Sequence, residues 1–275
     1  MSDLLADLDR NLRKAIVFFW KQRGSQSKKQ GGNDGDKDRG DRSAVTGGKH
    51  LDGFRELVVQ LLEAAGLQRA TIYRRKKTEL PGWFRAEKNW DLLIVADSKL
   101  VAVLEFKSQV GSFGNNFNNR TEESLGNATD LWAAYAEGAF RPSERPWLGY
   151  FMILEDAAGS TAPARVKEPH FKVFPEFKNA SYAERYNQLL TRLVRARLYD
   201  AACFVMSSRQ DGLKGEYREM NPELSFHNFV TSLLARALAV AKTQAPVPIF
   251  PPKVEVGEAS ARGLPSSRRK RKRTD

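Results

Sequence analysis

The chain has 275 residues, 41% of them hydrophobic and 28% charged, which excludes a disordered or fibrous class and leaves room for one large domain or two small ones. Its formal net charge is +12, and the basic run at residues 268–273 supplies six of those positive charges. A basic body with a further basic tail suits a polyanionic partner, with nucleic acid ahead of a membrane surface.

The start, Met1-Ser2-Asp3-Leu4-Leu5, has no basic stretch of the kind that opens a signal peptide. No apolar run approaches the ~18 residues that span a bilayer, so a cytoplasmic protein of a bacterium or archaeon is expected. Ser2 can cap a first helix whose apolar positions Leu5, Leu8, Leu12, Ala15, Ile16 and Phe19 keep helical spacing. Residues 24–48 are Gly, Asp, Lys, Arg, Ser and Gln with few apolar side chains, and predict a flexible polar loop. The Gly47-Gly48-Lys49 triplet in it is not a phosphate loop. Ser43 stands where the first glycine belongs, and His50 where a hydroxyl residue belongs.

A second helix is predicted over residues 51–65, burying Phe54, Leu57, Val58, Leu61 and Leu62. Strands follow at 71–75, 90–96 and 100–107. A Gly/Asn-rich loop leads to a helix capped by Asn119, with Glu122 completing the box, that continues to about residue 137. Residues 149–154 predict a buried strand, and Ser181 with Glu184 a capping box for a helix through residue 199. The next strand, 201–207, contains the single cysteine, Cys203, so no internal disulfide or multi-cysteine zinc site is available. The histidines His50, His170 and His227 lack metal-ligand spacing, and the sequons at Asn119, Asn127 and Asn179 are chance matches. A last helix spans 225–242, and the Pro-rich, then basic, remainder is expected to be disordered. The expected organisation is thus an N-terminal helix over 1–23, a polar loop over 24–48, a catalytic domain over 49–243 and a basic tail over 244–275. The element order α-α-β-β-β-α-β-α-β-α predicts an α/β fold with a central mixed sheet flanked by helices.

The chemistry concentrates between residues 90 and 107. Two apolar runs separated by a short polar turn predict a β-hairpin. With a three-residue turn of Asp97, Ser98 and Lys99, Ala96 faces Leu100, and the same count sets Asp91 opposite Glu105. A two-residue turn would slip the register and separate them. Lys107, two residues on, emerges on the face of Glu105. Two facing carboxylates need a nearby cation, and a hard divalent ion such as Mg²⁺ takes one or two carboxylates plus phosphate oxygens. Such a site suits phosphodiester hydrolysis, with Lys107 orienting water or stabilising developing charge. The bland alternative is a surface salt bridge between Lys107 and one carboxylate.

These residues match the PD-(D/E)xK nuclease pattern, although Trp90 stands where its proline would precede Asp91. Thr46-Gly-Gly-Lys-His50, Glu105-Phe-Lys-Ser-Gln109, Gly114-Asn-Asn-Phe-Asn-Asn-Arg-Thr-Glu-Glu123, Trp147-Leu-Gly-Tyr150, Glu168-Pro-His-Phe171 and Phe174-Pro-Glu-Phe177 add a narrower likeness. Over residues 44–240 the chain resembles the XhoI family of type II restriction endonucleases. The resemblance implies a PD-(D/E)xK restriction-endonuclease-like fold and a homodimer. It also implies Mg²⁺-dependent double-strand cleavage at the palindrome CTCGAG, leaving 5′-phosphate ends. The DNA of the host would be protected by a companion methyltransferase. Carried over by position, Asp91 and Glu105 become metal ligands and Lys107 the catalytic lysine, and Glu56 is a candidate further acidic ligand. Asn115, Asn116, Asn118, Arg120 and Gln109 are candidate DNA contacts, since asparagine reads adenine and arginine reads guanine bidentately. A structure-specific repair nuclease of the same fold and a noncatalytic DNA-binding protein are the alternatives.

Overall fold

The computed structural model describes residues 7–30, 48–68 and 71–243. The expected Ser2 cap, most of the polar loop and the basic run at 268–273 lie outside them. Helix α1 (Leu8–Gln30) runs past residue 23, the boundary expected from composition. Its apolar stripe of Leu8, Leu12, Ile16, Phe19 and Trp20 is buried in the main core together with residues of the sheet. A 3₁₀ turn (Lys49–Leu51) leads directly into α2 (Asp52–Ala64).

Five strands form the central sheet: β1 (Ile72–Tyr73), β4 (Leu92–Ala96), β5 (Lys99–Gln109), β6 (Trp147–Glu155) and β7 (Ala201–Ser207), in spatial order β1-β4-β5-β6-β7. The β1–β4 and β4–β5 pairs are antiparallel, and β5–β6–β7 are parallel. The α3 helix (Phe113–Ala136) and the α5 helix (Tyr182–Arg195) cover one face, where Leu131, Tyr186 and Leu190 meet Val103, Tyr150 and Phe204. Between them in the chain lies one short turn of helix, α4 (Ala158–Thr161). On the opposite face α1 and α2 join the last helix, α7 (Phe226–Thr243), and Phe54, Phe151 and Phe229 fill the centre. A short helical turn, α6 (Arg209–Gly212), follows β7. The mixed sheet between helical layers is the expected α/β architecture. Cys203 is fully buried and free, as its apolar run predicts. The Ser181–Glu184 capping box forms as expected, with the Glu184 carboxylate accepting the Ser181 N–H at 2.7 Å.

Three local expectations change. The strand predicted at 71–75 is reduced to the two-residue edge strand β1, and a small hairpin, β2 (Glu79–Pro81) with β3 (Glu87–Asn89), follows where none is expected. The Gly/Asn-rich segment is helical from Phe113, with Ser112 at the cap position in a left-handed conformation (φ 44°), so Asn119 is not a cap. Its asparagines occupy the first turns of α3, because the packing of Phe113 and Phe117 against Tyr182 and Tyr186 of α5 overrides their turn preference. The turn of the β4–β5 hairpin is also two residues long, not three. Ala96 pairs with Lys99, while Asp97 and Ser98 both take positive φ, at 50° and 60°, as a two-residue hairpin turn of the I′ kind requires.

Candidate active site

A two-residue turn should pull Asp91 out of line with Glu105, yet β5 restores the alignment with a β-bulge. Val95 pairs with Leu100, but Ile94 pairs with Ala102, which leaves Val101 as the extra residue. Val101 and Ala102 accordingly pack into the same core layer, although neighbours on a regular strand face opposite ways. Beyond the bulge Leu93 faces Val103 and Leu92 faces Leu104, where the paired register ends, and Asp91 just before β4 is tied to β5 at the Phe106 backbone N–H. Asp91 thus comes beside the Glu105–Phe106 segment by a backbone route different from the expected three-residue turn.

The resulting site lies where the start of β4 meets the end of β5. A cleft of about 390 Å³ opens there, lined by His50, Arg55, Asp91, Lys107, Ser108 and Arg120 among others. Asp91 accepts the backbone N–H of Phe106 through Oδ2 at 2.7 Å, and its other oxygen is paired with the Arg55 guanidinium. Arg55 in turn donates to the Gly48 carbonyl at 2.9 Å and to Asp52 at 3.1 Å, tying α2 and the Lys49–Leu51 turn to the site.

Glu105 is buried at 1% exposure, next in the chain to Phe106 and Lys107, which line the cleft. Lys107 Nζ stands 2.7 Å from its Oε1, Lys88 Nζ 3.4 Å, and the Asn127 amide donates to both of its oxygens at 3.1 and 3.0 Å. Burial pushes the Glu105 carboxyl up, but the charges of Lys107 and Lys88 outweigh it and hold the group below its ordinary range. Burial likewise disfavours the Lys107 ammonium, and the adjoining Glu105 more than offsets this, leaving Lys107 above its ordinary value. Lys107 is therefore a charged donor at neutral pH. It also approaches Glu123 on α3 at 3.5 Å, and Glu123 pairs with Arg120 at 2.5 Å. His50 donates to or accepts from Ser108 at 2.9 Å, and its ring is buried against Phe19.

The two carboxylates fit a hard divalent cation in donor chemistry. Among the described residues no three His, Cys, Asp or Glu groups converge, so Asp91 and Glu105 would need water and phosphate oxygens to complete a coordination shell. Glu56 pairs with Arg74 and lines a different groove with Asp52, Gly53 and Gln60. Gln109 is buried, and it accepts from Tyr186 while donating to the Gly111 and Ser112 carbonyls at 3.4 and 3.3 Å. It braces the start of α3 and is 3% exposed, unlike the other DNA-contact candidates. Asn115 and Asn118 are exposed on the first turns of α3, and the Asn116 amide donates to the Ser112 carbonyl at 3.1 Å. Of the DNA-contact candidates on that helix, Arg120 borders the cleft.

Arg55, Lys88 and Asn127 belong to the site and were not singled out in the sequence. Arg55 and Lys88 resemble ordinary surface charges, and Asn127 is hidden in a sequon. Only the three-dimensional packing of α2, β3 and α3 around Asp91 and Glu105 distinguishes them.

Comparison with known proteins identifies the family. Residues 29–219 match the model of the family described as restriction endonuclease XhoI. The chain is 50% identical over 211 residues to the type II restriction enzyme BstVI of Geobacillus stearothermophilus, covering 74% of this chain and 94% of that protein. It is 49% identical over 170 residues to the type II restriction enzyme AbrI of Azospirillum brasilense, covering 61% of this chain and 76% of the relative. Identity to the type II restriction enzyme XhoI of Xanthomonas vasicola is 42% over 194 residues, covering 69% and 77% of the two chains. No solved structure matches. With its family match and these relatives, the chain belongs to the XhoI family of type II restriction endonucleases.

Proposed function

We propose that the protein cleaves both strands of DNA at CTCGAG in a Mg²⁺-dependent reaction, acting as a homodimer beside a companion methyltransferase. The observation that supports the chemistry is Asp91 at the cleft, bonded to the Phe106 backbone N–H, with the neighbouring buried Glu105 ion-paired to a Lys107 kept in its charged form. The target sequence is the one implied by the resemblance, and a relative named XhoI at 42% identity supports it.

In this reading a water oxygen attacks the scissile phosphorus, the bond from phosphorus to the 3′ oxygen breaks, and the ends carry 5′-phosphate and 3′-hydroxyl. The Lys107 ammonium donates to the water or to the phosphate oxygen where charge grows. It serves as a donor and not as a base, because Glu105 holds its proton. Asp91 and Glu105 would hold Mg²⁺, which when bound polarises the phosphate and lowers the pKa of coordinated water. Arg55 must then leave Asp91, and its guanidinium is placed to meet the negative charge of DNA at the cleft wall. Arg120 adds a second cation there. Asn115, Asn116 and Asn118, presented at the start of α3, remain our candidates for contact with bases or adjoining phosphates.

Incubation of the purified protein and Mg²⁺ with a plasmid bearing one CTCGAG site tests the proposal. A single linear product with ends mapping to that sequence is expected. Nicking directed by DNA structure, cutting at another sequence, or no cutting would overturn it. Sedimentation of the free protein tests the dimer.

A further inference from the structure

Apart from Lys88, the β2–β3 hairpin takes no part in the site described above, yet it leaves the protein from the rim of the cleft. Arg75, just before it, and Trp90 and Asp91, just after it, all line that cleft, and Lys88 within it reaches Glu105 at 3.4 Å. Its tip carries Trp83 and Phe84 at 56% and 72% exposure. Two large aromatic side chains in water leave unused the burial that ordinarily stabilises such residues.

The tip is nevertheless held firmly. Asp130 of α3, with a side chain 6% exposed, accepts the backbone N–H groups of Trp83 and Phe84 at 2.8 Å each and the Arg85 Nε at 2.7 Å. Arg85 also donates to Asn127 at 3.2 Å, and Asn127 is the residue that grips Glu105. A side chain at Gly82 would collide with the same Asp130 carboxylate and with Arg85. A buried carboxylate thus fixes a turn whose two aromatic side chains stay mostly exposed, and the fixing network ends on the candidate metal ligand.

Charge selects the occupant. Arg74, Arg85 and Lys88 are paired with Glu56, Asp130 and Glu105, but the hairpin is entered through exposed Arg75, Lys76 and Lys77, and the chain as a whole carries +12. A second copy would bring the same positive charge, whereas duplex DNA brings the opposite one. We propose that the Trp83–Phe84 tip is a second DNA contact, an aromatic wedge that enters a groove beside the cleft and unstacks a base step. Apolar side chains inserted between base steps bend or open a duplex, and stacking on aromatic rings tolerates any base. The inference rests on DNA being the substrate. It assigns the hairpin to deforming and gripping the duplex, with its position keyed to Glu105 through Asp130, Arg85 and Asn127.

The test uses a labelled duplex containing CTCGAG with 2-aminopurine beside the site, and Ca²⁺ in place of Mg²⁺ so that binding is read without cleavage. Wild-type protein should bind and raise the 2-aminopurine fluorescence. The Lys107→Met variant should do the same with Mg²⁺ while cutting nothing, which separates the wedge from the chemistry. A Trp83→Ser/Phe84→Ser variant should bind at least about tenfold more weakly and give no fluorescence rise, with unchanged melting temperature and sedimentation. Trp83→Phe should retain part of both signals. Wild-type affinity and fluorescence in the double variant would overturn the proposal, as would a change of oligomeric state in place of a change in DNA binding.

Discussion

Asn127 donates its side-chain amide to both carboxylate oxygens of Glu105, at 3.1 and 3.0 Å, from a position one helical turn before the Asp130 that anchors the β2–β3 hairpin. The contact joins the α3 helix to the end of β5 and satisfies oxygens that would otherwise lie buried with only lysine partners. Asn127→Leu should therefore lower both stability and activity. Losing the charge-assisted bonds costs about 1.5–3 kcal/mol in a chemical-denaturation series. A residue that orients a metal ligand typically alters activity or metal affinity about 10–100-fold. Asn127→Asp, which adds a like charge beside Glu105, should be worse than Asn127→Leu in activity despite its nearly equal volume. The reverse order would show that Asn127 only fills space.

Lys107 and Glu105 form a buried pair whose two members should fail differently. Lys107→Met leaves Glu105 with Lys88 and Asn127, so the fold should persist at a cost of about 1–3 kcal/mol while cleavage is lost. Glu105→Gln removes the charge that both lysines answer, and should abolish cleavage while leaving duplex binding within a few-fold of wild type. Cleavage assays with Mg²⁺ and binding assays with Ca²⁺ read the two effects separately. A Glu105→Gln protein that still cut DNA would remove Glu105 from the chemistry.

The Arg55 guanidinium sits on the oxygen of Asp91 that a metal would need. Removing this competing cation in Arg55→Met should strengthen Mg²⁺ binding to the free protein by about 3–10-fold, the equivalent of one partly exposed ion pair. Calorimetric titration without DNA measures it. Weaker Mg²⁺ binding in the variant would mean that Arg55 shapes the carboxylate site more than it competes for it.

The hairpin shows how much of this site was legible in the sequence. Asp91, Glu105 and Lys107 stand out in the sequence through two apolar runs and a count that assumes a three-residue turn, whereas the turn has two residues and β5 carries a bulge. The two-residue turn and the Val101 bulge each shift the register by one, and the shifts cancel. Alternation could not reveal the bulge, because residues 100–104 are all apolar and present no polar face to break. The asparagine-rich start of α3 was misread for a related reason: local turn preference is visible in sequence, whereas the α5 surface that holds those residues helical is not. Gln109 gave no signal of burial, since its partner Tyr186 lies far along the chain.

The turn itself offers a stability test. Ser98 has φ 60°, a left-handed conformation that a side chain disfavours and glycine does not. Ser98→Gly should stabilise the protein by about 0.5–1 kcal/mol, less the greater freedom of glycine in the unfolded chain. Urea midpoints at constant slope would record it. Asp97→Asn in the same background should add to the gain, because asparagine tolerates this conformation well. Destabilisation by both would imply that the hairpin turn is not held as described.

His50 ties stability to pH. Burial, with the charges of Arg23 and Arg55 adding to it, lowers its pKa from 6.5 to about 4. The ring is 2% exposed and touches Ser108 through one nitrogen, so the folded protein keeps it neutral. Between pH 6.5 and 4 the unfolded chain binds a proton that the folded chain does not, and stability therefore rises with pH across that window. The contribution is complete above the unfolded value and is lost as pH falls towards the folded one, amounting to roughly 2–3 kcal/mol. Lowered carboxylates elsewhere, such as Asp130 and Glu184, act in the same direction at lower pH. His50→Gln isolates the histidine: urea midpoints at pH 7, 5.5 and 4.5 should fall less steeply in the variant than in the wild type. Parallel slopes would place an ordinary, hydrated imidazole at this position, and with it a more open contact between the Lys49–Leu51 turn and β5.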